Sequence, residues 1–135
     1  MTTPEATARA RASKRKGAQF QTDIRNTLRD AEYDVEILEL SGAEDEGDLV
    51  VRMGAGEYTI IEAKNEAKID LPGYLREAHA EADNFAKHRP AVRRDKVTPV
   101  VVVKARGKGI RDAYVVRRFS DHFNLTAPEN DGCGA

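Results

Sequence analysis

Residues 47–64 read GDLVVRMGAGEYTIIEAK, and the fold turns on how this stretch pairs with itself. Leu49, Val50 and Val51 form a short apolar run after Asp48. Thr59, Ile60 and Ile61 form another before Glu62. Between them stands Gly54-Ala55-Gly56, a glycine-rich turn. Two β-prone runs around such a turn predict a hairpin, with strands over Asp48–Met53 and Glu57–Lys64.

Working outward, Tyr33, Val35 and Ile37 alternate with Asp34 and Glu36, the period of a half-buried strand, predicted over Tyr33–Leu40. The alternation slips at Leu38, which predicts a bulge or a strong twist. Upstream, Phe20, Ile24, Leu28 and Ala31 recur at helical spacing and predict a helix over Lys14–Ala31. Downstream, Leu71, Tyr74, Leu75, Ala78, Ala82 and Phe85 share one face of a helix running from Leu71 to about His88. Pro72 suits its first turn and Pro90 stops it. Val100–Val103 is a β-branched run of the kind buried on both faces of a sheet. Arg106-Gly107-Lys108-Gly109 is a basic turn, Asp112–Arg118 a last strand, and Phe119–Leu125 a short closing helix. The order is α-β-β-β-α-β-β, an α/β fold with a mixed central sheet flanked by helices.

The 135 residues suit one domain over 14–125, preceded by a basic extension over 1–13, flexible or helical, and followed by a flexible tail over 126–135. Hydrophobic residues make up 40% and charged residues 33%, with a mean hydropathy of -0.61. No apolar run approaches the roughly 20 residues of a spanning helix, so no membrane partner is expected. The basic N-terminus lacks the apolar core of a secretory signal. Cys133 stands alone, which excludes an intramolecular disulfide and a Cys-based zinc site. A cytoplasmic setting is expected, with no small-molecule cofactor.

Net charge is -1, but its distribution is uneven. Asp30 to Asp48 holds nine carboxylates and no Lys or Arg. Lys87 to Arg118 holds eleven Lys and Arg against Asp95 and Asp112. Arg9, Arg11, Lys14, Arg15 and Lys16 add a second basic segment, and Lys104, Arg106, Lys108 and Arg111 surround the basic turn. Either these segments gather into one surface for a nucleic-acid backbone, or they are solvated and scattered.

The chemical signal lies in the hairpin. Residues i and i+2 of a strand share a face, so Glu62 and Lys64 project together. The hairpin returns Asp48 to the same end of the sheet. Two carboxylates and an ammonium then converge, as phosphodiester hydrolysis requires. A hard divalent cation takes carboxylate oxygens, and the carbonyl of Ala63 is an available extra ligand. A lysine can orient water or offset charge at phosphorus. The competing reading is structural: Asp48 caps a turn, and Glu62 with Lys64 forms a solvent-facing ion pair. Ile60 and Ile61 count against it, because a buried carboxylate without a partner is costly. His79, His88 and His122 have no metal-ligand spacing, and Tyr74 and Phe85 read as core.

These residues carry a family resemblance. The chain resembles the PD-(D/E)xK nuclease superfamily and, within it, the archaeal-type Holliday junction resolvases and their phage-encoded relatives. The likeness runs from about Arg15 to Leu125. It includes Lys16-Gly17-Ala18-Gln19, then Ser41-Gly42, Gly47-Asp48-Leu49-Val50-Val51 and Ile61-Glu62-Ala63-Lys64-Asn65. It continues over residues 68–78 and 103–109. The resemblance implies a restriction-endonuclease-like core, with Asp48 and Glu62 as metal-binding acids and Lys64 as the catalytic lysine. It implies a role near the scissile phosphate for Ser41. It also implies Mg²⁺, with Mn²⁺ as substitute, four-way DNA junctions as substrate and a homodimer as working unit. The family carries a glutamate in the opening helix, and the matching position here is Gln21, which brings no charge. The acidic Glu44-Asp45-Glu46 loop is unusual beside a DNA site: repelling phosphate, recruiting cations and facing solvent are all open to it. Two other functions fit the same residues, namely a restriction-like or exonucleolytic enzyme and a non-catalytic DNA-binding module.

Overall fold

The computed structural model describes residues 4–39 and 42–125. Ser41 and the 126–135 tail lie outside them. Helix α1 spans Pro4–Asp30, followed by strands β1 Asp34–Ile37, β2 Leu49–Gly54 and β3 Glu57–Lys64. Helix α2, Leu71–Lys87, connects to β4 Val97–Val103, then β5 Tyr114–Val116 and the short helix α3 Phe119–His122. The five strands form one mixed sheet in the order β1-β2-β3-β4-β5. The β3–β4 pair is parallel and the other three are antiparallel. A parallel pair needs a crossover, and α2 supplies it.

Strand alternation sends one set of side chains to α1 and the other to α2. On the α1 face Phe20, Ile24, Val35, Leu49, Val51, Ile61, Val100 and Val102 pack together. On the α2 face Val50, Ile60, Ala82, Phe85 and Val97 form one cluster, and Tyr74, Ala78, Val101 and Val103 another. Val100 to Val103 are all buried, as a strand covered on both faces should be.

The hairpin forms with the expected pairing, opened by an irregularity between Arg52 and Gly54. Gly54, Ala55 and Gly56 all have positive φ, at 91°, 56° and 75°, which explains two glycines in three turn residues. Helix α2 begins where expected. The Asp70 side chain caps it by accepting from Gly73 N–H at 3.1 Å.

Several boundaries differ from the sequence expectations. Helix α1 begins at Pro4, ten residues before the expected start, and ends at Asp30. The extension expected over 1–13 is thus helical from residue 4, and Ala31 is exposed beyond the helix. No residue of 4–19 is buried. The Ala- and Arg-rich composition favours helix by propensity rather than by packing. Strand β1 stops at Ile37. The slip at Leu38 marks this end rather than a bulge, with Leu38 N–H donating to Asp48 O at 2.8 Å. Strand β4 begins at Val97 and includes the buried Pro99. Lys104 N–H donates to Lys64 O, so even-numbered residues of β4 face β3 and odd ones face away. Pro99 therefore lacks an N–H only on the side where β5, paired with Val101–Val103, does not reach. Strand β5 is shortened because residues 110–112 form a 3₁₀ turn.

Candidate functional site

Strand β3 outruns its hairpin partner. Its ladder with β2 ends at the Leu49–Ile61 pair, and Asp48 N–H then donates to Ile61 O. Beyond this point Ala63 N–H faces the β2 side with no strand partner. It donates to Asp48 Oδ2 at 2.7 Å. The Ala63 carbonyl points to the same side by strand geometry. The alternation that puts Ile60 in the α2-face core also sends Glu62 and Lys64 beneath α2.

Helix α2 meets them with acids. Its buried residues are Tyr74, Ala78, Ala82 and Phe85, and with them Glu81. Glu81 is 3% exposed and Glu62 5%. Oε1 of each is buried without a hydrogen-bond donor among the described residues. Glu77, one turn earlier and exposed, completes the group. One carboxylate oxygen each from Glu62, Glu77 and Glu81 lie within 4.8 Å of one another. Lys64 Nζ sits 3.0 Å from Glu62 Oε2 and 2.9 Å from Glu77 Oε1. It also lies 5.0 Å from the centre of the Tyr74 ring, a cation–π distance.

The protonation states follow from this crowding. Burial pushes the Glu62 carboxyl up to about 7, and neighbouring Asp48 adds to the shift against the hydrogen bonds of Glu81 and Lys64. Burial raises Glu81 further, to about 10, reinforced by its hydrogen bond to Glu62 and by the charges of Glu62, Asp45 and Glu77. Asp48 is raised too, chiefly by burial, which outweighs its bond from Ala63. Lys64 is raised as well: burial opposes its charge, but the hydrogen bonds and charges of Glu77 and Glu62 hold the proton more tightly. Around neutrality Glu81 is thus a neutral acid that can donate to Glu62, and Lys64 is a fixed cation.

Two buried carboxylates facing each other need either a shared proton or a cation. Glu62, Glu77 and Glu81 could hold a metal ion. Ligands trans to one another on Mg²⁺ stand about 4.2 Å apart. The three oxygens lie within 4.8 Å of one another, and Glu77, the exposed member, is the one free to adjust. The loop before Asp48 leaves room for the cluster. Gly47 has φ 104°, and a Cβ there would sit 2.6 Å from Ile60 Cγ2 and 3.7 Å from Glu81 Oε1.

Of the residues expected in the site, Asp48, Glu62, Ala63 and Lys64 meet at one strand end. The hydrogen bond from Ala63 gives Asp48 the capping role of the competing reading, yet the Glu62–Lys64 pair is mostly buried rather than solvent-facing. Gln21 lies on α1, which covers the opposite face of the sheet, and its side chain makes no hydrogen bond among the described residues. Lys104 follows β4, directly beside Lys64. Its Nζ closes the basic turn on Lys108 O at 2.6 Å. Arg106, Lys108 and Arg111 are exposed, as are Arg9, Arg11, Lys14, Arg15 and Lys16 on the unpacked part of α1. An apolar groove of about 410 Å³ on the α1 face, lined by Leu28, Met53, Val100 and Arg111 among others, contains no carboxylate. The acid chemistry is on the other face.

Sequence reasoning missed Glu77, Glu81 and the role of the acidic loop. A signal for Glu81 was available: it falls seven residues after Tyr74 and four before Phe85, inside the apolar stripe. The loop is not left to open solvent alone. Glu46 is 3% exposed. It accepts from Arg89 Nη1 at 2.6 Å and pairs with His88 Nδ1 at 2.6 Å. Asn84 Nδ2 donates to Ala43 O and Asp45 O. The loop is thus fastened to the end of α2. His79 is spent on Asp121 at 2.8 Å. Among the described residues no helix is long and apolar enough to cross a membrane. Compared with protein families and with curated proteins, the chain's sequence matches none.

Proposed function

We propose that this chain is a metal-dependent DNA endonuclease of the PD-(D/E)xK kind, cutting four-way junctions as a homodimer. One observation carries the reading: Glu62 and Glu81 bury unpartnered carboxylate oxygens at the hairpin's open end, beside Asp48 and Lys64. A purely structural cluster would pair those oxygens or replace them with apolar atoms.

Asp48, Glu62 and the Ala63 carbonyl are the groups that would hold Mg²⁺, or Mn²⁺ in its place. The bound ion would acidify a water and offset charge on the phosphate. Lys64, held protonated by Glu62 and Glu77, contributes charge and hydrogen bonds to a phosphate oxygen rather than accepting a proton. Before any ion binds, Glu81 keeps a proton at the rear of the site and shares it with Glu62 in a hydrogen bond. The basic turn leaves β4 next to Lys64, which suits Arg106 and Lys108 to phosphates flanking the cut. The exposed Tyr114, Val115, Phe119, Phe123 and Leu125 offer the apolar surface that a two-fold partner needs.

Cleavage of a four-way junction, a linear duplex and a flap in Mg²⁺ tests the reading. The junction should receive paired symmetric nicks, and Glu62→Gln should lose more than about a hundredfold in rate. No cleavage of any substrate overturns the nuclease. Equal cutting of linear duplex overturns the junction selectivity alone.

A further inference from the structure

Glu62 has acids on two sides. On the β2 side stand Asp48 and the Ala63 carbonyl, reached through the bond from Ala63 N–H to Asp48 Oδ2. On the α2 side stand Glu77 and Glu81, whose oxygens come within 4.8 Å of one another and of Glu62. The acidic cluster alone would say little. The second observation is that the Glu62 and Glu81 side chains are almost wholly buried and each leaves Oε1 without a donor among the described residues.

From this we propose that Glu62 is a bridging ligand between two divalent cations, the second held on the α2 side by Glu77 and Glu81. The inference rests on the nuclease reading for its first cation and adds the second. Charge supports it. Asp48, Glu62, Glu77 and Glu81 are four carboxylates, and the only cation paired with them among the described residues is Lys64. Lys64 already bridges Glu62 and Glu77, so a cation in the α2 position takes over the ammonium's counter-charge and releases it toward substrate. Geometry supports it as well. Cations about 3.5–4 Å apart can share one carboxylate, and a bridging residue must offer an oxygen to each side. Helix α2 thereby supplies the acid that Gln21 of α1 does not.

The test is Mn²⁺ binding to the full-length chain, followed by electron paramagnetic resonance and equilibrium dialysis. The wild type should bind two Mn²⁺ per chain with a spin-coupled signal. Glu81→Gln, which only replaces one oxygen, should bind one and lose the coupling. Glu77→Gln, on the helix surface, should do the same and guards against a folding defect at the buried position. Asp48→Asn should also bind one, through the α2 position. Wild-type binding of fewer than two ions overturns the inference. So does coupling that survives in both α2 variants. A wild type that binds one Mn²⁺ and still cuts junctions leaves the nuclease reading intact. One that binds two and cuts no DNA defeats the nuclease and keeps the dinuclear centre.

Discussion

Two sets of glutamates are buried about equally, and they differ in what surrounds them. Glu46 is 3% exposed, Glu81 3% and Glu62 5%. Glu46 accepts from Arg89 and pairs with His88, and although burial works against its charge, those bonds bring its pKa below the ordinary carboxylate value. Glu62 and Glu81 face each other with unpartnered oxygens, and burial drives both upward. The first arrangement spends its charge on holding a loop to a helix. The second leaves charge uncompensated next to a lysine and an aspartate. A folded protein tolerates the second only where something else repays the cost.

That contrast predicts opposite signs for the same substitution. Glu46→Gln turns an acceptor of two charged donors into a partial mismatch and should cost about 2 kcal/mol, since the Arg89 and His88 partners are only part-buried. Urea denaturation at neutral pH measures it. A loss near zero would mean that the loop is fastened by Asn84 alone. Glu81→Gln should stabilise the metal-free protein by about 1 kcal/mol, because it removes a buried acid that resists ionisation. Destabilisation of that size would show the Glu62–Glu81 pair to be a structural hydrogen bond.

The smallest effect is a pH slope, and its sign separates the two sets. A raised folded-state pKa means a proton held more tightly in the native state. The stabilisation from Glu62 and Glu81 is therefore complete below the ordinary value of 4.5 and is lost as pH rises through about 7 toward about 10. Glu46, with a lowered pKa, contributes above 4.5 and loses that contribution as pH falls. Without metal, the melting temperature should decline from pH 6 to pH 9, and Glu81→Gln should flatten the decline. An equal slope in the variant would detach Glu81 from the titration. Added Mn²⁺ should flatten it as well, by replacing the proton as counter-charge.

How much of this was legible in the sequence depended on distance along the chain. The hairpin, the start of α2 and the doubly buried β4 were readable because periodicity and turn residues act within a few positions. The convergence of Asp48, Glu62 and Lys64 was readable for the same reason, since a hairpin fixes its own register. Glu46 was not, because its partners lie 42 and 43 residues away and nothing local distinguishes it from Glu44. Glu81 sat in view on the apolar stripe of α2 but was passed over, because a polar residue on a helix is assumed to face water. The length of α1 was hidden because its first half buries nothing, so hydrophobic spacing carried no trace of it.

Pro99 has a consequence for the protein's behaviour at high concentration. Strand β5 covers only Val101–Val103, and past it the outward side of β4 is closed by other means: Val97 O accepts from Arg94 Nη1 and Pro99 is buried, within the β-prone run VTPVVVV. Left open, the rim of such a run would invite another chain to add a strand and begin a fibre. The proline ring sits where the next outward N–H would have stood, so an incoming strand meets a gap in the row of donors. The same residue leaves the bonds to β3 intact, since its missing proton points away from them. One imino acid thus removes the outward donor that would stand between Val97, whose N–H bonds Arg94 O, and Val101, where β5 takes over.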